Sequence, residues 1–145
     1  MKPPFFMAAA LLLAGCDSIP ADPDSSLERI RGERRFRVGL IASGGPALAP
    51  ERAGALLDRL WRATGARPAL EHGSAEALLT RLEEGGLDLV VGEFAEHSPW
   101  AAQVTLTEPI ATEGRTILAA AARNGENAWI WLVHREARAA ASADR

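Results

Sequence analysis

Apolar and polar positions along this chain follow two alternating rhythms, one of period two and one of about 3.6. Arg34 to Ile41 (RRFRVGLI) starts as an alternation and turns fully apolar, as a first central strand does. From Pro50 onward, Ala53, Leu56, Leu57, Leu60, Trp61 and Thr64 recur at helical spacing, and Gly65 stands just past them. The spacing predicts an amphipathic helix with Pro50 in its first turn and the whole stripe, Trp61 included, in the core. Arg67 to Glu71 reads as a short second strand, ended by a turn at His72-Gly73. Ser74 can cap the next helix, whose buried stripe is Ala75, Leu78, Leu79 and Leu82. Leu87 to Val91 (LDLVV) lies between Gly85-Gly86 and Gly92, the punctuation of a buried parallel strand. A polar, turn-prone segment runs from Glu93 to Pro99, Val104 to Thr107 alternates again, and Pro109 closes that run. Thr112-Glu113-Gly114 predicts a turn, and Arg115 to Ala121 a further strand. A last helix, Ala128 to Ala140, follows a cap at Asn124 to Asn127; it puts Trp129, Leu132, Val133 and Ala137 on one side and Trp131 on the other. At the front, Ser25 and Glu28 have capping-box spacing and open a short helix with Leu27 and Ile30 inward.

The order is a capping helix followed by βαβαββα. It predicts an α/β lobe with a mainly parallel sheet of about five strands and helices on both faces. In such sheets ligands sit just beyond the carboxyl ends of the strands. The segment from Glu93 to Trp100 is therefore where a site is expected; the loop Ser43-Gly44-Gly45-Pro46 after the first strand is a flexible connection or, less readily, a loop that brings backbone close to a ligand.

Length and composition narrow the class. The 145 residues fit one domain, and an apolar fraction of 48% supports a core. A net charge of −3 gives no electrostatic footprint for nucleic acid. Lys2 and the apolar run Phe5 to Leu13 have the layout of a signal segment, too short to span a bilayer, which takes about 20 residues. Leu13-Ala14-Gly15-Cys16 resembles the lipobox of bacterial lipoproteins, which implies a diacylglycerol on Cys16. The plainer alternative is a signal peptide that happens to precede a free cysteine. Cys16 is the only cysteine, so no intrachain disulfide forms. The resulting division is a lipoprotein signal peptide over 1–15, a lipidated cysteine and flexible tether over 16–25, the lobe over 26–141 and a frayed tail over 142–145. Asp17 resembles the retention signal that keeps lipoproteins in the inner membrane, which implies a lipid-anchored position on its periplasmic face.

The middle of the chain resembles the first lobe of periplasmic solute-binding proteins of the polar-amino-acid ABC transporter type. Leu87-Asp88-Leu89-Val90-Val91-Gly92 matches that family's leucine-aspartate-apolar-apolar-glycine strand, and Thr107-Glu108-Pro109-Ile110 matches the end of its next strand. The likeness runs from about Leu27 to Ala121 and implies one lobe of a type II periplasmic-binding-protein-like fold. Counting back from Pro109 puts His97 at the family's threonine and Trp100 at its arginine, which in the family holds the ligand's α-carboxylate. Trp100 cannot hold a carboxylate that way. Its ring is a wall for an apolar or cationic ligand, or else it plugs the cleft where the family's arginine lies or packs under the following strand.

Catalytic chemistry has no foothold. His72, His97 and His134 lie on different elements, no Gly-x-Ser-x-Gly elbow is present, and Glu93 and Glu96 on a polar loop read as solvated. No cofactor and no metal site is implied. The function expected is a non-enzymatic, membrane-anchored solute-binding-like lipoprotein serving an ABC-type or other transporter. Its ligand-binding set would be Ser43, Glu93, Phe94, His97 and Trp100. Its expected partners are the membrane through Cys16, a small solute, and a transporter or other envelope protein, with no nucleic acid. The alternative is an accessory lipoprotein with a degenerate cleft that docks on a membrane protein; it would have Trp100 filling the cleft and Trp131 exposed. Lytic transglycosylases carry a similar lobe beside a separate catalytic domain.

Overall fold

Strands supply one sheet, and helices seal both of its faces. The computed structural model describes residues 22–143, so Cys16 and the segment before it lie outside the described residues. The elements are α1 (Ser26–Glu33), β1 (Arg35–Ile41), α2 (Pro50–Thr64), β2 (Arg67–Gly73), α3 (Ala75–Glu83) and β3 (Leu89–Ala95). A 3-10 turn (Pro99–Ala102), β4 (Val104–Leu106), β5 (Ala111–Glu113), β6 (Thr116–Arg123) and α4 (Asn127–Ala141) complete them.

The strand order is β2-β1-β3-β6-β4, with β5 also on β6. β1 pairs parallel with β2 and β3, whereas β3, β4 and β5 all pair antiparallel with β6. Five of the six strands thus point one way, and β6 alone runs against them. This is the α/β lobe the sequence predicts.

Period-two alternation decides what each face buries. One face presents Phe36, Val38, Leu89, Val91, Leu118 and Ala120 to Ile30, Leu56, Leu60, Trp129, Leu132 and Val133 of α1, α2 and α4. The other presents Val90, Phe94, Ile117, Ala119 and Ala121 to Leu78, Leu79 and Leu82 of α3. Each such leucine, fully buried, contributes about 2 kcal/mol relative to exposure. The alanines of β6 are buried and small, which lets helices close on a strand covered from both sides. Trp129 locks the first layer: its ring meets Phe36 edge-on, with centroids 5.7 Å apart, and its Nε1–H donates to the Asp88 carbonyl at 2.7 Å.

Five local readings are corrected. Trp61 is not core: it is 41% exposed, with the Arg67 guanidinium 5.1 Å from its ring centroid. The indole lies over β2, the edge strand, where the sheet ends before it can cover the ring. His72-Gly73 is strand, not turn, because β2 pairs with β1 through Ile41. β3 likewise continues past Gly92 to Ala95, and Thr112-Glu113 is strand β5, because β6 offers both of them hydrogen-bonding partners. The fifth concerns the Ser25–Glu28 capping box, which does not form. Ser25 has φ 47° and its side chain caps nothing. The cap comes instead from Glu126, whose carboxylate accepts the Asp24 and Ser26 N–H groups at 2.9 Å each.

Candidate functional site

The site is built where β3 outruns its helix cover. Leu89, Val91 and Glu93 fall on one face of β3. The first two are core, and the third reaches past the core's edge at the carboxyl end of the sheet. The loop after β1 crosses the same edge before α2 begins. Glu93 Oε1 accepts the Ser43 hydroxyl at 3.0 Å and the Leu48 N–H at 2.8 Å, so one carboxylate ties this loop to the strand. Gly92 permits the close approach of β1 that the arrangement needs: a Cβ there would lie 2.5 Å from Ile41 Cβ.

The result is an open cleft of about 520 Å³. Leu40, Leu57, Leu70, Val91 and Leu118 form its apolar wall, and Ser43, His72 and Glu93 its polar rim. No arginine or lysine is among the lining residues. The cleft suits a small solute with an apolar body and a hydrogen-bond-donating or cationic head.

Of the residues singled out in the sequence, Ser43 and Glu93 meet here. Phe94 does not: as the next residue in the strand it turns to the opposite face and is buried beside α3. His97 is exposed in the turn after β3. Trp100, in the 3-10 turn, packs half-buried on the same second core as Phe94 and lines no part of the cleft. The sheet therefore divides that set between its two faces. Leu40, Leu57, Leu70 and His72 escaped sequence reading. The alternation of β3, continued three residues past Gly92 to Ala95, is the signal that puts Glu93 on their side of the sheet.

A second polar concentration lies at the amino end of the sheet, around a cavity of about 670 Å³. Asp88 is 5% exposed there. Its carboxylate accepts the Arg37 backbone N–H at 2.8 Å and the guanidinium groups of Arg37 and Arg29. Burial pushes this carboxyl up, but the Arg37 side chain, the Arg37 backbone and Arg29 together hold it below the usual range. Glu126 behaves the same way: burial raises it, and the Ser26 and Asp24 N–H groups with Arg123 outweigh that. These carboxylates fasten α1 and α4 to the sheet, so the cavity's polarity is spent on the fold.

No protein-family model matches the sequence, and no curated protein matches it. Solved structures do. The arginine-bound form of domain 1 from TmArgBP superposes with a TM-score of 0.63 at 14% identity, over 77% of this chain and 97% of that one. A mutant of the same arginine-bound domain gives 0.64 at 15% identity, over 78% and 96%. An ancestral cationic amino acid solute-binding protein gives 0.50 at 18% identity, over 60% of this chain and 41% of that one. At these identities the likeness establishes the fold alone: an α/β lobe built like domain 1 of TmArgBP.

Proposed function

We propose that this chain is a solute-binding lobe that takes a small amine-bearing solute in the cleft between β1, β3 and α2. The observation that carries the reading is the Glu93 constellation. A strand-end carboxylate fixes the rim loop through Ser43 and Leu48 and stands beside an apolar wall. The cationic head would lie by Glu93 and Ser43, and the aliphatic body on Leu57, Leu70 and Val91. Solute-binding proteins usually bury a ligand between two lobes. The neighbour TmArgBP domain 1 is a single domain in an arginine-bound form, which supports retention by one lobe. The lining residues include no guanidinium for a carboxylate, which favours amines and polyamines over acidic amino acids. The chain would act without catalysis, on the periplasmic face of the inner membrane, anchored through Cys16 and delivering its solute to a transporter.

A thermal-shift screen of the protein against polyamines, amino acids, sugars and metal ions tests this. A ligand at a hundredfold excess over its dissociation constant stabilises the folded state by about 2.7 kcal/mol. A shift with an amine that shrinks in Glu93→Gln and Leu57→Ala is expected. A shift with acidic amino acids alone, or one untouched by Glu93→Gln, would assign the binding elsewhere.

The accessory reading retains one supporting observation: Trp131 is 63% exposed. Its other expectation fails, since Trp100 does not fill the cleft.

A further inference from the structure

The outward residues of α4 form a single stripe. Ala128, Trp131, Arg135, Arg138 and Ser142 are all exposed and recur at helical spacing. Trp131 is the most exposed large hydrophobic residue among those described, at 63%. The Arg135 guanidinium lies 5.0 Å from its ring centroid. His134 and Arg138 join them around a shallow groove of about 370 Å³ that no carboxylate lines. Both arginines have acidic neighbours: Arg135 pairs with Glu136 at 2.6 Å and Arg138 with Glu108 at 3.3 Å. The second pair is two-thirds exposed on both sides, a geometry that exchanges readily for another anion.

The attachment of the preceding chain bears on what covers this stripe. Asp22 accepts the Ala128 N–H at 2.7 Å, and Ala128 lies one helical turn before Trp131. The steps from Cys16 to Asp22 number six, an extended reach of about 20 Å. A chain held at Cys16 therefore keeps the start of α4 within that distance of the bilayer.

We propose that the Trp131–Arg135–Arg138 face of α4 docks on an anionic membrane surface, with the indole at the headgroup level and the guanidinium groups on lipid phosphates. The geometry rests on the reading that Cys16 is lipid-anchored. Tryptophan settles at membrane–water interfaces because its ring is apolar and its N–H polar. Arginine grips phosphate with two parallel hydrogen bonds. A protein partner would call for contiguous apolar surface around the anchor residue and few charges at the centre. Here the indole is flanked on the stripe by Ala128 on one side and by Arg135, then Arg138, on the other, and the cationic side suits phosphate.

The test uses the full chain and two readouts. Incorporation of labelled palmitate, lost in Cys16→Ser, reports the anchor. Tryptophan emission in phosphatidylcholine vesicles carrying brominated acyl chains and about one-third phosphatidylglycerol reports the face. Wild type is expected to quench at least about twofold more than Trp131→Phe. Arg135→Gln with Arg138→Gln should remove most of that difference, as should omitting phosphatidylglycerol. Equal quenching in wild type and Trp131→Phe would overturn the docking. Palmitate incorporation with that result would overturn the docking and leave the anchor standing, whereas no palmitate incorporation would overturn the anchor and with it the docking geometry. Trp131 unquenched by lipid but cross-linked to an envelope protein would give the face to a protein and overturn the lipid assignment.

Discussion

Two buried carboxylates carry more of this fold than their number suggests. Asp88 joins α1, β1 and β3 through Arg29 and Arg37. Its carboxyl and that of Glu126 lie below their ordinary values of 3.8 and 4.5. A carboxyl whose pKa is depressed on folding stabilises the native state at pH above its unfolded value, and that stability drains as pH falls through the folded value. The melting temperature should therefore hold from neutral pH down to about 5 and drop steeply below about 4. Asp88→Asn should lower stability at neutral pH by about 2 kcal/mol or more, because Arg37 loses its counter-charge and Arg29 is left with Glu33 alone. It should also flatten the acid limb, which melting curves across pH would show. Glu126 allows a sharper contrast. Glu126→Ala strands two N–H groups at the start of α1 and should cost about 1–3 kcal/mol. Ser25→Ala removes a hydroxyl that caps nothing and should stay within about 0.5 kcal/mol. Denaturant melts of the two variants decide whether the capping box or the distant carboxylate starts α1. The sequence favours the box, since Ser25 and Glu28 have the right spacing. Glu126 is a hundred residues away from Ser26 and has no local signature.

At the scale of elements, legibility followed periodicity. α2, α3 and α4 could be read from their stripes, and β1 and β3 from apolar runs between glycines. What failed was wherever pairing, not patterning, sets the outcome. β2 and β3 run longer than their apolar segments because neighbouring strands offer hydrogen-bonding partners to polar residues as well. The same extension turned Glu93 into a strand residue and sent Phe94 to the other face, splitting the expected ligand set. The ends of α1 and α4 show a further tie that spacing could not reveal. Glu126, at the start of α4, caps α1, while Asp22, just before α1, accepts the first free N–H of α4. Gly92 marks the tightest junction of the sheet with the cleft. Ile41 Cβ, fixed to the backbone, would meet a new methyl at 2.5 Å, and β1 would have to move. Gly92→Ala should cost about 1–3 kcal/mol or more and weaken solute binding. Gly44→Ala, with nothing within 4 Å, should be close to neutral in stability. Thermal melts and ligand titration of both variants measure the difference.

The molecule, over the described residues, is one sheet with one core on each face, and the cleft lies on that sheet. Every residue that lines the cleft comes from β1, β2, β3, β6, α2 or the loop between β1 and α2. The strands among them share a continuous hydrogen-bonded sheet, and Glu93 fixes the loop to it. A two-lobed receptor changes shape when it closes over its solute, because its hinge lies between separately packed bodies. Among the described residues no second body lines the site, so binding by this lobe should tighten the rim without moving mass. A compact chain of this length has a radius of gyration of about 14–15 Å. Small-angle scattering with and without the solute found by thermal shift should give the same radius to within about 0.5 Å. Amide exchange should slow at Leu48 and along the 43–48 loop, where the strut acts, and stay unchanged along α3 on the far face. A fall in radius on ligand addition would mean that a second wall closes over the cleft, from another copy of the chain or from another protein. Glu93 would then be the floor of a shared site.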